Sequence, residues 1–168
     1  MSNYTIKIMG SESLLEKSKP VTQFDDSLLE LIEKLKIAMY AEGGVGIAAP
    51  QIGINKRVIV FGFEKNERYP NEDPIPFTVL INPEYEALST EMTDDWEGCL
   101  SVPGMRGLVP RFNKISYQGF DANQNIIKRT VDGFHARVIQ HEVDHLDGIL
   151  YPFRIKDLKY FGFEEALL

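Results

Sequence analysis

The chain has 168 residues, 43% of them hydrophobic and 26% charged, which suits one domain with its own core and excludes a disordered or low-complexity segment. A net charge of −7 argues against a binder of nucleic-acid backbone, and no apolar run is long enough to span a bilayer. The single cysteine, Cys99, excludes an intrachain disulfide; with no signal-peptide pattern at the N-terminus, a reducing, cytoplasmic home is expected.

Residues 26–42 predict a helix. Asp25 or Asp26 caps it, Leu28, Leu31, Ile32, Leu35 and Met39 recur at helical spacing, and Gly43-Gly44 ends it. Residues 58–63 read as a buried strand, and 64–76, rich in Pro and Asn, as a long surface loop. Residues 78–81 read as a strand stopped by Asn82-Pro83. Residues 112–120 and 126–131 flank the turn-rich 121–125 and predict a hairpin. Residues 133–147 predict a second helix with two apolar stripes, one through Phe134, Val138, His141 and His145, the other through Ile139, Val143, Leu146 and Leu150. A helix apolar on two sides is covered on most sides, so it is expected at the centre. No βαβ alternation is visible. The expected class is α+β: residues 1–168 as a single domain, with mostly antiparallel strands around the central helix, an N-terminal helix and a short C-terminal segment.

Three stretches carry chemistry. The central helix contains His141-Glu142-Val143-Asp144-His145, whose histidines lie one turn apart on one face, the separation at which both reach one metal ion. Glu142 beside them suits a base that takes a proton from water. A solvated histidine pair is the plain alternative, and the apolar stripe on which both fall argues against it. A third ligand is needed. The choices are Cys99, within Glu97-Gly98-Cys99-Leu100-Ser101, or a downstream glutamate, Glu164 or Glu165. Gly44-Val45-Gly46-Ile47-Ala48-Ala49-Pro50-Gln51 contains G-x-G-x-x-A, but a helix and not a strand precedes it, so a dinucleotide loop is excluded. It reads instead as a wall where backbone meets a ligand, with Gln51 offering amide donors.

Taken together the three stretches resemble peptide deformylase, whose motifs G-x-G-x-A-A-x-Q, E-G-C-x-S and Q-H-E-x-D-H are complete here and in order. The similarity runs from about Ile8 to Tyr151. It implies a hydrolase that removes the N-formyl group from the initiator methionine of newly made polypeptides. It implies Cys99, His141 and His145 as ligands of one divalent metal, with water in the fourth position. The family's ion is commonly Fe2+ in cells, with Zn2+, Ni2+ or Co2+ able to take the site. Water activated at the metal would attack the formyl carbon, with Glu142 as general base and then acid. Gln51 and the backbone N–H of Leu100 would face the oxyanion, Glu97 would shape the site, and Gly46 would pair by backbone with the peptide. Phe134, Val138 and, opposite them, Val45 are expected to wall a methionine pocket, or else to be plain core. Arg106 and Arg111 flank the loop after Cys99, placed either to meet the peptide or as solvated surface. The implied partners are formylmethionyl nascent peptides, with no membrane or nucleic acid. Some members also contact the ribosome through a longer basic C-terminal helix, where this chain has a short acidic segment. The competing readings are a metalloprotease using Glu164 or Glu165, and a non-catalytic relative kept for binding.

Overall fold

The computed structural model describes residues 4–167. Helix α1 (Asp26–Ala41) starts where Asp25 accepts from the Leu28 N–H, and ends before Gly43, whose φ of +66° suits a residue without a Cβ. Strands β1 (Gly46–Ala48), β2 (Val58–Phe63), β3 (Ile75–Ala87), β6 (Lys114–Phe120) and β7 (Ile126–Asp132) form an antiparallel sheet in the order β1-β2-β3-β6-β7. Strands β4 (Met92–Cys99), β5 (Val102–Phe112) and β8 (Phe161–Phe163) form a second, smaller sheet in the order β4-β5-β8. Helix α2 (Gly133–Leu146) packs on β1, β2, β3, β6 and β7 of the first sheet and on β5 of the second, and α3 (Glu164–Leu167) closes the chain against β5. The architecture is α+β and antiparallel, around a central helix, as the patterning predicts.

The continuous apolar run of β2 has a direct cause. Val58 and Val60 pack toward α1, with Leu31, Leu35 and Met39. Ile59, Phe61 and Phe63 pack toward α2, with Ile139 and Val143. Alternate side chains of a strand point to opposite faces, so a strand covered on both faces is apolar throughout. The double stripe of α2 has the same origin: from Ala136 to Leu146 its residues are buried, with His141 alone half-buried.

Two expectations need correction. β3 runs through Asn82-Pro83 and ends at Ala87. Asn82 takes φ +52°, its side chain pairs with both backbone groups of Val21 at 2.8 and 2.9 Å, and the register with β6 shifts there. This is a bulge, which asparagine's tolerance of left-handed backbone permits and where proline's missing N–H costs no ladder bond. Phe112 belongs to β5 and not to the β6–β7 hairpin, which begins at Lys114. The β4–β5 hairpin went unread because Asp94, Asp95, Gly98, Pro103, Gly104 and Pro110 are poor strand formers; its pairing is held by tertiary contacts. Among the described residues no helix is long and apolar enough to cross a membrane.

Candidate active site

Cys99 ends β4, and His141 and His145 lie on consecutive turns of α2. The two elements meet so that Cys99 Sγ and one nitrogen of each histidine lie within 4.8 Å of one another. Sγ is 3.3 Å from His145 Nε2 and accepts the Ser101 N–H at 3.4 Å. Cys99 and His145 are buried. A cysteine sulfur set beside two imidazoles is a donor combination that suits soft and borderline metals.

His141 is oriented from behind. His141 Nδ1 lies 2.8 Å from Glu97 Oε1, which leaves Nε2 as the nitrogen turned to the metal side. Glu97 is itself clamped: Arg111 donates to Oε2 from Nε at 2.8 Å and to Oε1 from Nη2 at 2.9 Å, and Arg137 Nη1 donates to Oε2 at 2.7 Å. Burial raises the Glu97 pKa, but the Arg111 guanidinium outweighs it and holds the carboxyl well below the usual carboxylate range. Arg111 Nη1 continues to Asp144, which also receives two bonds from Arg154. Gln140 ties the same helix to β5 by exchanging two hydrogen bonds with the backbone of Phe112, at 2.9 and 3.0 Å.

Glu142 is less well partnered. It is buried, its Oε2 finds no partner among the described residues, and burial pushes its pKa up to about 7. Gly46 leaves room for its carboxyl: a Cβ there would stand 2.8 Å from Oε1. His145 Nδ1 is also without a partner among the described residues. An unpartnered buried carboxylate oxygen beside a cysteine and two histidines is costly unless something else binds there, so the donor set fits a bound cation and a water-sized ligand. Gln51 is held by the Ala48 N–H at Oε1, 2.9 Å, so Nε2 faces Ser101 Oγ at 3.1 Å and Cys99 Sγ at 3.5 Å.

A cleft opens over these groups. Val45, Gly46, Gln51, Glu97, Leu100, Phe134, Val138 and Glu142 line it, together with Arg68, Tyr69, Trp96 and Arg137. The structure thus brings together the Cys99, His141 and His145 cluster, Glu142, Gln51 and the cleft lining expected from the sequence, while Arg106 turns to Glu164 and the Tyr69 ring. Arg111 is buried and ion-paired with Glu97 and Asp144, so neither sequence-based placement of it holds. Glu164 is paired with Arg106, and the cluster able to hold an ion contains Cys99 and not the glutamate that the metalloprotease reading required. Arg137 and Asp144 escaped the sequence reading. A usable signal existed, since charges on a helix covered on most sides must find partners.

A model of the Polypeptide deformylase family matches residues 3–160. The chain belongs to the polypeptide deformylase family. It is similar to peptide deformylase 1 of Nitrosomonas europaea, 54% identical over 160 residues that cover 95% of this chain and 91% of the relative. Peptide deformylase 2 of Ralstonia nicotianae is 53% identical over 160 residues, covering 95% and 90%. Among solved structures, the class I type b peptide deformylase of Acinetobacter baumannii with bound Met-Ala-Ser superposes with a TM-score of 0.87 at 38% identity, covering 92% of this chain and all of that one. The deformylase of Synechococcus elongatus in complex with actinonin gives a TM-score of 0.84 at 35% identity, covering 94% of this chain and 81% of that one. This deformylase is therefore an enzyme of a metal-dependent family, and Cys99, His141 and His145 are a cluster able to hold the ion.

Proposed function

We propose that this deformylase hydrolyses the formyl amide at the initiator methionine of newly made polypeptides, with Glu142 as general base and then general acid. The observation that carries the reading is the Glu142 carboxyl: buried, one oxygen unpartnered, and one position along α2 from His141. Cys99, His141 and His145 would hold one divalent ion, Fe2+ in the cell, with Zn2+, Ni2+ or Co2+ as alternatives for the same donors. Bound there, such an ion would supply Lewis acidity for carbonyl polarisation and for making water a better acid.

The chain's own groups do the rest. Glu142 takes a proton from the attacking water and returns it to the departing amino nitrogen, so formate and a free methionine amine result. A buried carboxyl with one oxygen unpartnered among the described residues is placed to make both transfers. Gln51 Nε2 and the Leu100 N–H stabilise the charge on the carbonyl oxygen, a donor of this kind contributing roughly 3–4 kcal/mol. Phe134, Val138 and Val45 receive the methionine side chain, and the Gly46 backbone pairs with the peptide. The bound Met-Ala-Ser of the A. baumannii relative supports a substrate that begins with methionine. The newly made chain is the partner and the cytoplasm the place of action.

The test is a formyl-Met-Ala-Ser assay on anaerobically purified, iron-loaded protein with metal analysis of the same sample. Wild type releases formate; Glu142→Gln keeps its metal and loses activity by about 10²–10⁴-fold, the usual worth of a positioned base. Full activity in Glu142→Gln overturns the role of Glu142.

A further inference from the structure

Two segments that the chemistry above does not use meet at one rim of the cleft. The loop between β2 and β3 brings Arg68 and Tyr69 into the cleft wall. Tyr69 packs on Phe134, ring centroids 4.7 Å apart, so the loop is seated on the apolar side of the site. Arg68 Nη2 lies over Gly98, where a Cβ would stand only 2.9 Å away. Its nearest carboxylate, Glu164, is 3.9 Å distant, beyond hydrogen-bond length, so the guanidinium keeps donors available.

Arg106 is spent differently. Pairing of β5 with β8 sets Arg106 opposite Gly162 and so brings Glu164 alongside. Arg106 Nε donates to Glu164 Oε1 at 3.0 Å, its Nη2 donates to the Arg68 carbonyl at 3.4 Å, and its guanidinium lies 5.2 Å from the Tyr69 ring centre. One arginine therefore ties the C-terminal segment to the loop that carries the other.

We infer that Arg68 is a specificity-determining residue that binds oxygens of the peptide beyond the formylated methionine, and that Arg106 and Glu164 are positioning residues that hold it over the cleft. This rests on the deformylase reading above. The chemistry selects that part of the substrate. A methionine side chain has only a weakly accepting thioether, whereas the chain beyond it presents carbonyl oxygens. A guanidinium with free donors beside aromatic walls binds such oxygens more strongly than one in water.

The test uses metal-loaded protein and two substrates, formyl-Met-Ala-Ser and formyl-methionine, with the affinity for Met-Ala-Ser measured by calorimetry. Arg68→Ala is expected to raise KM for the tripeptide about tenfold and to weaken Met-Ala-Ser by the same factor, as the loss of one charge-assisted contact does. Its kcat moves far less, and formyl-methionine, too short to reach Arg68, is affected least. Glu164→Gln shifts KM in the same direction by a smaller factor, and Glu164→Asp restores part of it. Equal KM increases for both substrates, or unchanged KM and Met-Ala-Ser affinity in Arg68→Ala, overturn the inference. An inactive wild type that still binds Met-Ala-Ser in an Arg68-dependent way would instead overturn the deformylase reading alone.

Discussion

Arg111 on β5 closes on both carboxylate oxygens of Glu97 on β4, at 2.8 and 2.9 Å, with both side chains almost wholly buried. Glu97 in turn holds His141 by its far nitrogen. The histidine is aimed by a carboxylate that is itself immobilised by a cation, so the stiffness of one face of the site comes from an ion pair 14 residues apart in sequence.

Glu97→Gln is expected to lower metal affinity by about 10–100-fold, the usual cost of losing a partner behind a ligand. It also leaves Arg111 and Arg137 less well compensated inside the protein, for a stability loss of about 3–5 kcal/mol. Competition with a chelator measures the first and denaturant unfolding of the metal-free protein the second. Unchanged values in both would show the pair to be dispensable.

Gly46→Ala should impair turnover without loss of metal. The added Cβ would stand 2.8 Å from Glu142 Oε1 and 3.1 Å from its Cδ, so the carboxyl has to shift. A displaced catalytic group of this kind costs about 10²-fold in rate. The check is kcat/KM on samples of matched metal content; wild-type turnover would mean the carboxyl has room that the packing denies it.

Cys99→Ser replaces a soft thiolate by a hydroxyl that stays protonated near neutral pH. Metal retention on dialysis should fall by more than the roughly 10–100-fold expected for Glu97→Gln. Glu164→Gln, by contrast, should keep its metal, because Glu164 pairs with Arg106 and lies outside the ligand cluster. Elemental analysis of the two variants separates the cysteine site from a glutamate-ligated one.

His135 makes stability fall with acid. Its Nε2 lies 2.9 Å from the Tyr117 hydroxyl, which accepts from Arg129 at 3.1 Å and so donates its own proton to the ring. The ring must be neutral to accept it. Burial, with Arg129 nearby, lowers the His135 pKa from 6.5 to about 4. The unfolded chain therefore binds the extra proton first. The stability that His135 contributes is complete above pH 6.5 and is lost as pH falls from 6.5 toward 4. Melting temperatures of wild type and His135→Phe across that window check this: the wild-type curve should fall more steeply, and parallel curves would contradict it.

The chemistry of the site was legible because its signals are local. Two histidines four residues apart share a helix face whatever surrounds the helix, and an apolar stripe through them already places them inside. The glycine before the cysteine and the small residues before Gln51 likewise mark places where backbone comes close. Helix α1 and strand β2 are legible for the same reason. What the sequence could not state was which distant charges meet. Arg106 and Arg111 both read as peptide contacts or as solvated surface until β8 brings Glu164 beside the first and Glu97 and Asp144 close on the second. Asn82 reads as a stop until Val21 supplies both partners for its amide. In each case the outcome depends on burial and on a partner far along the chain, and only the packed structure supplies either. The chain's length, acidity and lone cysteine excluded much. Folding decided how that cysteine, two histidines and a buried glutamate become one site.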